Sequence, residues 1–161
     1  MKDERKITLF LCISFFISAA ISGIFVLHYK LSREHLDSVS LDEDIVYDAS
    51  EYLFGIDPVR KEDGLLIISG WAVREDEDLT YINNRILLID QKQQAYEMPT
   101  TAIERGLTEY FNNGYSYEQG GLWAQCPLKE FTPGEILHAV ILVTEQDGRR
   151  VYLDTQVDIE I

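Results

Sequence analysis

The side chains of this 161-residue chain whose types could do chemistry are few and stand far apart. His138 could act as a general base, but it lies in an apolar stretch without an evident partner, so a place within a sheet is the favoured interpretation. Cys126 is interpreted as a small buried hydrophobe rather than as a nucleophile. The chain has no glycine-rich phosphate loop and no Cys-x-x-Cys, His-Glu-x-x-His or Gly-x-Ser-x-Gly motif. We therefore expect no catalytic activity and no cofactor.

The densest acidic run, Glu75-Asp76-Glu77-Asp78, offers the oxygen ligands that calcium prefers. Its spacing lacks the glycine and the bidentate carboxylate of an ordered calcium loop. A solvated hairpin tip explains the same run, because charged runs usually form a solvated surface. We expect no metal site.

Aromatic residues are concentrated in one region that is also rich in asparagine and glycine. This region contains Tyr110, Phe111, Tyr115, Tyr117 and Trp123. Rings beside amides can stack on sugars and bind them, and a partner protein could use the same rings. Packing of the rings within a core and a loop is the alternative. The sequence gives these five residues as the candidate surface for a ligand or partner.

Short β-rich runs separated by turn residues dominate the chain after about residue 52. The predicted strands span residues 65–73, 85–90, 95–100, 122–128, 136–145 and 149–161. One short helix is predicted to start at the capping-box sequence Thr101-Ala102-Ile103-Glu104 and to end at Asn112-Asn113-Gly114. Since strands do not alternate with long helices, we expect a mainly β domain, an antiparallel sandwich rather than a parallel α/β sheet.

The last two strands are predicted to pair antiparallel, because Gln146-Asp147-Gly148 between them is a tight-turn signal. In the last strand, apolar residues alternate with polar ones, which predicts one buried and one solvated face. We expect Leu153 of this strand and Trp71 to be buried in the same core. Residues 137–143 are apolar on both faces, as in a central strand covered on both sides or in one that reaches a partner.

Residues 7–29 contain no Asp, Glu, Lys or Arg, and the run is long enough to cross the roughly 30 Å hydrocarbon layer as one helix. A cleaved signal peptide is the rival interpretation, because basic residues precede the run and small residues lie within it. The run exceeds a signal-peptide core and stays apolar to Leu27, so we expect an uncleaved anchor. The expected organisation is a cytoplasmic tail (1–6), a single transmembrane helix (7–29), a juxtamembrane stalk (30–51) and a β domain (52–161).

Basic residues set the expected orientation of this anchor. Three of them precede it and two follow it closely, so the positive-inside rule places the N-terminus in the cytoplasm and the C-terminal domain outside the cell membrane. One face of the anchor carries small residues, which let another helix approach closely. This expected packing face consists of Ser14, Ser18, Ser22, Ala19 and Gly23.

The chain is strongly acidic, with a formal net charge of −14 at pH 7. Nucleic acid and anionic lipid headgroups are therefore not expected as direct ligands. Its two cysteines are Cys12, within the expected anchor, and Cys126, so no intramolecular disulfide is expected within the domain. An external domain without disulfides is typical of a bacterial surface.

Three short segments resemble a small Ig-like β-sandwich module of bacterial cell-surface and glycan-handling proteins. They are Ser69-Gly70-Trp71-Ala72, Gly121-Leu122-Trp123-Ala124, and Thr132-Pro133-Gly134 ahead of an apolar strand. The module also has an Arg-x-Asp-Val segment, where this chain has Arg105-Gly106-Leu107-Thr108, and a Gly-Phe strand, where it has Leu122. The resemblance implies an Ig-like sandwich and an accessory module, and it transfers no catalytic residue.

Three functions remain as hypotheses. The first is a single-pass, membrane-anchored, extracytoplasmic binding or assembly module of a bacterial envelope, whose partner is an envelope glycan or a membrane protein. The second is a small accessory subunit that docks onto a larger membrane enzyme or transporter through its transmembrane helix. An enzyme ranks last, because the polar constellation that an active site requires is not evident in the sequence.

Overall fold

A computed structural model describes residues 2–33, 36–41 and 45–161, and it divides the chain into two compact units, 1–35 and 36–161. In the first unit, helix α1 extends over Lys2–Arg33. Its side chains are described for residues 12–27, and all of them are exposed, including those of the expected packing face. Within the described residues, no helix combines the length and the hydropathy expected of a membrane span.

The second unit is mainly β. Its strands are β1 (Asp37–Val39), β2 (Ile45–Val46), β3 (Tyr52–Ile56), β4 (Arg60–Glu62), β5 (Leu65–Arg74), β6 (Asn84–Ile89), β7 (Ala95–Glu97), β8 (Thr100–Ile103), β9 (Gly121–Pro127), β10 (Ile136–Thr144) and β11 (Arg150–Glu160). A short helix, α2, spans Leu107–Phe111, and single 3-10 turns lie at Glu118–Gly120 and Leu128–Glu130. The predicted strands are therefore confirmed to within a few residues at their ends.

The strands form two sheets. Sheet A has the order β1-β7-β6-β10-β11-β2, and sheet B has the order β3-β5-β9-β8 with β4 also paired to β5. Every pairing is antiparallel except that of β2 with β11. The predicted hairpin of β10 and β11 is confirmed: Gly148 adopts a φ of 90° in its turn, a conformation that glycine adopts without strain.

The main core lies between the inner faces of the two sheets. The alternation predicted for β11 is confirmed, because Val151, Leu153 and Ile159 are buried while the residues between them are half-buried or exposed. From the other sheet, β5 contributes alternate residues such as Leu66 and Ile68, which are fully buried. Burying each such side chain contributes about 1.5 to 3 kcal/mol through the hydrophobic effect.

The outer face of sheet A is also covered. Val39, Leu41 and Ile45 pack there against the outward residues of β6 and β10, such as Leu87 and Val140. This explains why residues 137–143 are apolar on both faces, as expected of a central strand covered on both sides. Within residues 30–51, where a juxtamembrane stalk is expected, β1 and β2 belong to sheet A.

The expected helix start at Thr101 is wrong, because residues 100–103 form strand β8 and pair with β9. The hydroxyl of Thr100 donates to the carbonyl of Met98 and accepts the amide of Ile86, which fixes this segment at the sheet edge. The helix begins only after Gly106 and ends as expected at Asn112, which adopts a left-handed φ of 46°.

Trp71 is not part of the inter-sheet core, which corrects a second expectation. Because Gly70 and Ala72 face inward on β5, Trp71 faces outward, and its side chain is half-buried on the outer face of sheet B. Gly55 lies beside it on β3, where an added Cβ would come within 3.2 Å of the indole nitrogen. The small residue makes room for the ring.

Candidate functional site

Four of the five aromatic residues singled out in the sequence build, together with Trp71, a small core on the outer face of sheet B, which we call the ring cluster. Phe111 is at its centre, with its ring centroid 5.4 Å from that of Trp71, 5.1 Å from that of Tyr110 and 5.7 Å from that of Tyr117. Buried Val73 and Leu107 complete the cluster. Edge-on ring pairs of this kind add about 0.5 to 1.5 kcal/mol each beyond the area they bury.

The five candidate rings do not share one accessible surface. Tyr117 is fully buried, Phe111 and Tyr115 are half-buried, and Tyr110 is 78% exposed. Trp123 lies apart from the other four, in β9, where it pairs with Ser69 and Thr101. The structure therefore brings four of the rings together mainly by packing.

The ring cluster has a second role, which is to hold the acidic run in place. The hydroxyl of Tyr117 accepts a hydrogen bond from the amide of Asp76 at 3.1 Å. Ser116 donates its amide to the carboxylate of Asp78 at 2.7 Å, and its carbonyl accepts the amide of Leu79 at 2.9 Å. Residues 76–79 are consequently tied to the loop of the ring cluster.

Glu77, Asp78 and Leu79 form one wall of a cavity of about 230 Å³ at one end of the sandwich, which we call the end cleft. The end of β5, the segment that follows it, the first residue of β6 and the turn after β10 all contribute to its lining. The lining residues are Tyr52, Ala72, Val73, Arg74, Glu77, Asp78, Leu79, Thr80, Tyr81, Asn84, Val143, Thr144, Glu145, Gln146 and Asp147. The cleft thus combines apolar side chains with amides, hydroxyls and carboxylates, the mixture typical of ligand sites.

A network of charged groups fixes the side of the cleft near Glu145. Arg149 binds the carboxylate of Glu145 through two nitrogens at 2.6 and 2.7 Å, and Tyr52 donates its hydroxyl to the same carboxylate. The hydrogen bonds from Arg149, helped by Tyr52, lower the pKa of Glu145 to about 2. Burial and the bond to Glu145 raise the pKa of Tyr52. Both groups therefore keep one protonation state across the physiological range.

Arg74 extends the same network. Its guanidinium lies 2.8 Å from the carboxylate of Glu51 and 3.1 Å from that of Glu77. A third carboxylate, that of Glu145, is 3.8 Å away. Arg74 and Arg149 are thus both paired with glutamates.

Asn84 is the buried polar residue of the cleft. Its side chain is 5% exposed, and Nδ2 donates one long hydrogen bond of 3.4 Å to the carbonyl of Ala72. No described residue donates to its Oδ1. Asn84 is one of the residues that line the cleft, so a buried amide lies beside the cavity.

His138 has two acidic partners that the sequence did not reveal. Nδ1 lies 2.8 Å from the carboxylate of Asp158, and Nε2 lies 2.9 Å from that of Asp154. A bulge in β11 makes this possible. Ala139 pairs with Val157, but Val140 pairs with Asp154, so two residues of β11 have no partner on β10. This shift brings both aspartates close to the ring of His138. Burial alone would lower the pKa of His138, but these two carboxylates outweigh it and raise it.

One more ion pair joins the segments that follow β3 and β8, the first and last strands in the order of sheet B. Arg105 binds Asp57 through its two terminal guanidinium nitrogens, at 2.6 and 2.7 Å, and also donates to the carbonyl of Gly70. It joins the segment before α2 to the end of β3. Among the described residues, no group of three or more His, Cys, Asp or Glu side chains is placed to hold a metal ion.

Comparison of this chain with protein-family models, with curated proteins and with solved structures gave no match. The function must therefore be argued from the geometry. Of the features described, the end cleft is the concave one with a buried amide and fixed walls, and it is the candidate functional site.

Proposed function

We propose that this chain is a membrane-anchored, extracytoplasmic binding or assembly module of a bacterial envelope, without catalytic activity of its own, and that the end cleft is its binding surface. The observation that carries the proposal is the cleft itself, whose lining combines apolar side chains with carboxylates and the buried amide of Asn84. A concave site with apolar lining and a few polar groups is the usual form of a ligand site.

The walls of the cleft support binding because they are held in advance. Tyr52, Glu145 and Arg149 fix one side, and the bonds from Ser116 and Tyr117 fix the other. A site that is already ordered loses less entropy when a ligand binds. In this account the ring cluster positions the cleft and does not itself grip the ligand.

The membrane anchor is part of the proposal. It rests on the uncharged run of residues 7–29 and on the continuous helix over Lys2–Arg33.

The Ig-like character of the sandwich is likewise proposed. It is supported by two sheets of almost wholly antiparallel strands and by β7 and β8, which follow each other in the chain but lie in different sheets.

A small accessory subunit of a membrane enzyme or transporter is the second candidate. It is favoured by the exposure of Ser14, Ser18 and Ser22 on α1, together with Gly23, where an added Cβ would meet nothing within 4 Å. In mild detergent, such a subunit would co-purify with one stoichiometric membrane protein. Changes of Ser18 and Ser22 to Leu would abolish that association.

Photo-crosslinking tests the binding proposal. A photoreactive residue would replace Tyr81, which lines the cleft and is 45% exposed, and in a matched control it would replace Tyr110, which is 78% exposed on the ring cluster. With the full chain in its native membrane, we expect a discrete adduct at position 81 and none at position 110. Mass spectrometry would tell a glycan from a polypeptide. No adduct at 81, or equal adducts at both positions, would contradict the proposal.

A further inference from the structure

We propose that the end cleft receives the basic side chain, lysine or arginine, of a partner polypeptide. The inference rests on the proposed function, in which the cleft is the binding surface, and it names the chemistry of what binds there.

The lining of the cleft is predominantly acidic. Glu77, Asp78, Glu145 and Asp147 line the cleft against a single basic residue, Arg74. The whole chain carries a formal net charge of −14. Such a field repels anionic ligands and draws cationic groups towards the surface.

Two of the four carboxylates that line the cleft, those of Asp78 and Asp147, are not paired with a basic side chain of the described residues. The glutamates pair with Arg74 and Arg149, whereas among the described residues neither Asp78 nor Asp147 forms an ion pair. Each aspartate uses one oxygen on a backbone amide, that of Ser116 at 2.7 Å and that of Arg149 at 2.9 Å. The second oxygen of each is left to accept from a ligand.

The lining of the cleft also suits the shape of a lysine or arginine side chain, which has an apolar stem and a charged end. Ala72, Leu79 and Val143 give the cleft apolar lining against which methylene groups can pack. The amide of Asn84 lines the cleft beside these apolar side chains. Tyr81 lines the same cleft with a half-exposed ring, and an aromatic face attracts a cation.

A neutral sugar would satisfy less of this arrangement. Its hydroxyls could donate to the aspartates, but it would bring no positive charge to Asp78 and Asp147. A basic side chain supplies both the hydrogen bonds and the charge.

The test is a titration of the full chain in detergent micelles with blocked arginine, N-acetyl-arginine methylamide. The matched probe is the same derivative of citrulline, which has nearly the same shape but no charge. The readout is the shift of the Asn84 side-chain amide and of the backbone amides of residues 78–81 and 144–147. We expect saturation at millimolar blocked arginine and binding weaker by about ten-fold for citrulline, a difference typical of one charge-assisted contact.

Salt and charge variants sharpen the result. Raising the salt from about 50 mM to about 500 mM should weaken the binding of blocked arginine several-fold but not that of citrulline. Asp78→Asn together with Asp147→Asn should weaken the binding of arginine to the level of citrulline. Asp63→Asn, on a turn outside the cleft lining, should leave it unchanged.

Equal binding of the arginine and citrulline derivatives would overturn the inference. So would saturating shifts with neutral cell-wall glycan fragments alone, although in that case the cleft would remain the binding surface and the proposed function would survive. If the adduct at position 81 were also missing, the proposed function would fail together with the inference.

Discussion

The hydroxyl of Tyr52, in β3 of sheet B, donates a hydrogen bond to the carboxylate of Glu145, directly after β10 of sheet A, across 93 residues of sequence. Both residues line the end cleft, so this bond connects the two sheets at the proposed binding surface. We therefore predict that stability and binding depend on the same contact.

Tyr52→Phe should lower the free energy of unfolding of the full chain in detergent by about 1 to 2 kcal/mol, because a half-buried carboxylate loses one donor but keeps Arg149. The matched control is Tyr47→Phe, whose ring is 66% exposed and packs on Tyr152. Urea titrations measure both. An equal effect of the two changes would mean that the bond to Glu145 contributes nothing to stability.

The low pKa of Glu145 predicts a loss of stability in acid. The pKa is about 2 in the folded chain against an ordinary value of 4.5, so the stabilisation is present above pH 4.5 and is lost as the pH falls towards 2. The loss should amount to about 2 to 3 kcal/mol. Glu145→Gln should flatten the profile of unfolding free energy against pH in that window, and an unchanged slope would contradict the assignment.

His138 should titrate above its ordinary pKa of 6.5, because only the doubly protonated ring can donate to both Asp154 and Asp158. The stability from this contact is therefore present below pH 6.5 and lost as the pH rises through the raised value. Proton NMR of the ring measures the pKa directly. Asp154→Asn and Asp158→Asn should each lower it, while Asp147→Asn, on the β10–β11 turn, should not.

Leu153→Ala should cost about 2 to 5 kcal/mol of unfolding free energy, since the side chain is fully buried between the sheets. Glu160→Ala, on the exposed face of the same strand, is the control and should change it by less than about 0.5 kcal/mol. Thermal unfolding of the full chain separates the two. Similar costs would show that the faces of β11 are assigned the wrong way round.

Tyr117→Phe should release Asp76 from the ring cluster while leaving the rings packed, and Asp78 and Leu79 should stay bonded to Ser116. The amide of Asp76 loses its acceptor, so its hydrogen exchange should speed up. Tyr110→Phe, at an exposed ring of the same cluster, should leave that amide unchanged. If Asp76 exchanges at the same rate in both variants, the wall of the cleft is held by something other than Tyr117.

The strands and their faces could be predicted because alternation and turn chemistry are local signals. Val151 to Ile161 and the Asp147-Gly148 turn show this, since neither depends on distant residues. The capping-box sequence at Thr101 misled because pairing with β9 overrode a weak local preference. The outward position of Trp71 follows from the alternation on β5, but a large ring is expected in a core.

The sites were harder to predict because they depend on tertiary contacts. If the antiparallel pairing of β10 with β11 is counted from the turn between them without a shift, His138 lies opposite Gln156 and diagonal to Asp154 and Asp158. The sequence therefore contained a signal that His138 lies near these two aspartates. The bulge that brings both aspartates to the ring is not visible in the sequence. The end cleft is less predictable still, because it is assembled from segments as distant as Tyr52 and Asp147.

Cysteine labelling of intact protoplasts with a membrane-impermeant maleimide measures on which side of the membrane each unit of the chain lies. It therefore tests whether the chain is a tethered module that binds outside the cytoplasm. Cys12→Ser removes the cysteine of the proposed anchor, and Cys126 is buried with its pKa raised to about 12, so it reacts poorly. In this background, Tyr81→Cys should be labelled on intact protoplasts, whereas Lys2→Cys should be labelled only after the membrane is permeabilised. Labelling of Lys2→Cys without permeabilisation, with Tyr81→Cys protected, would contradict the account.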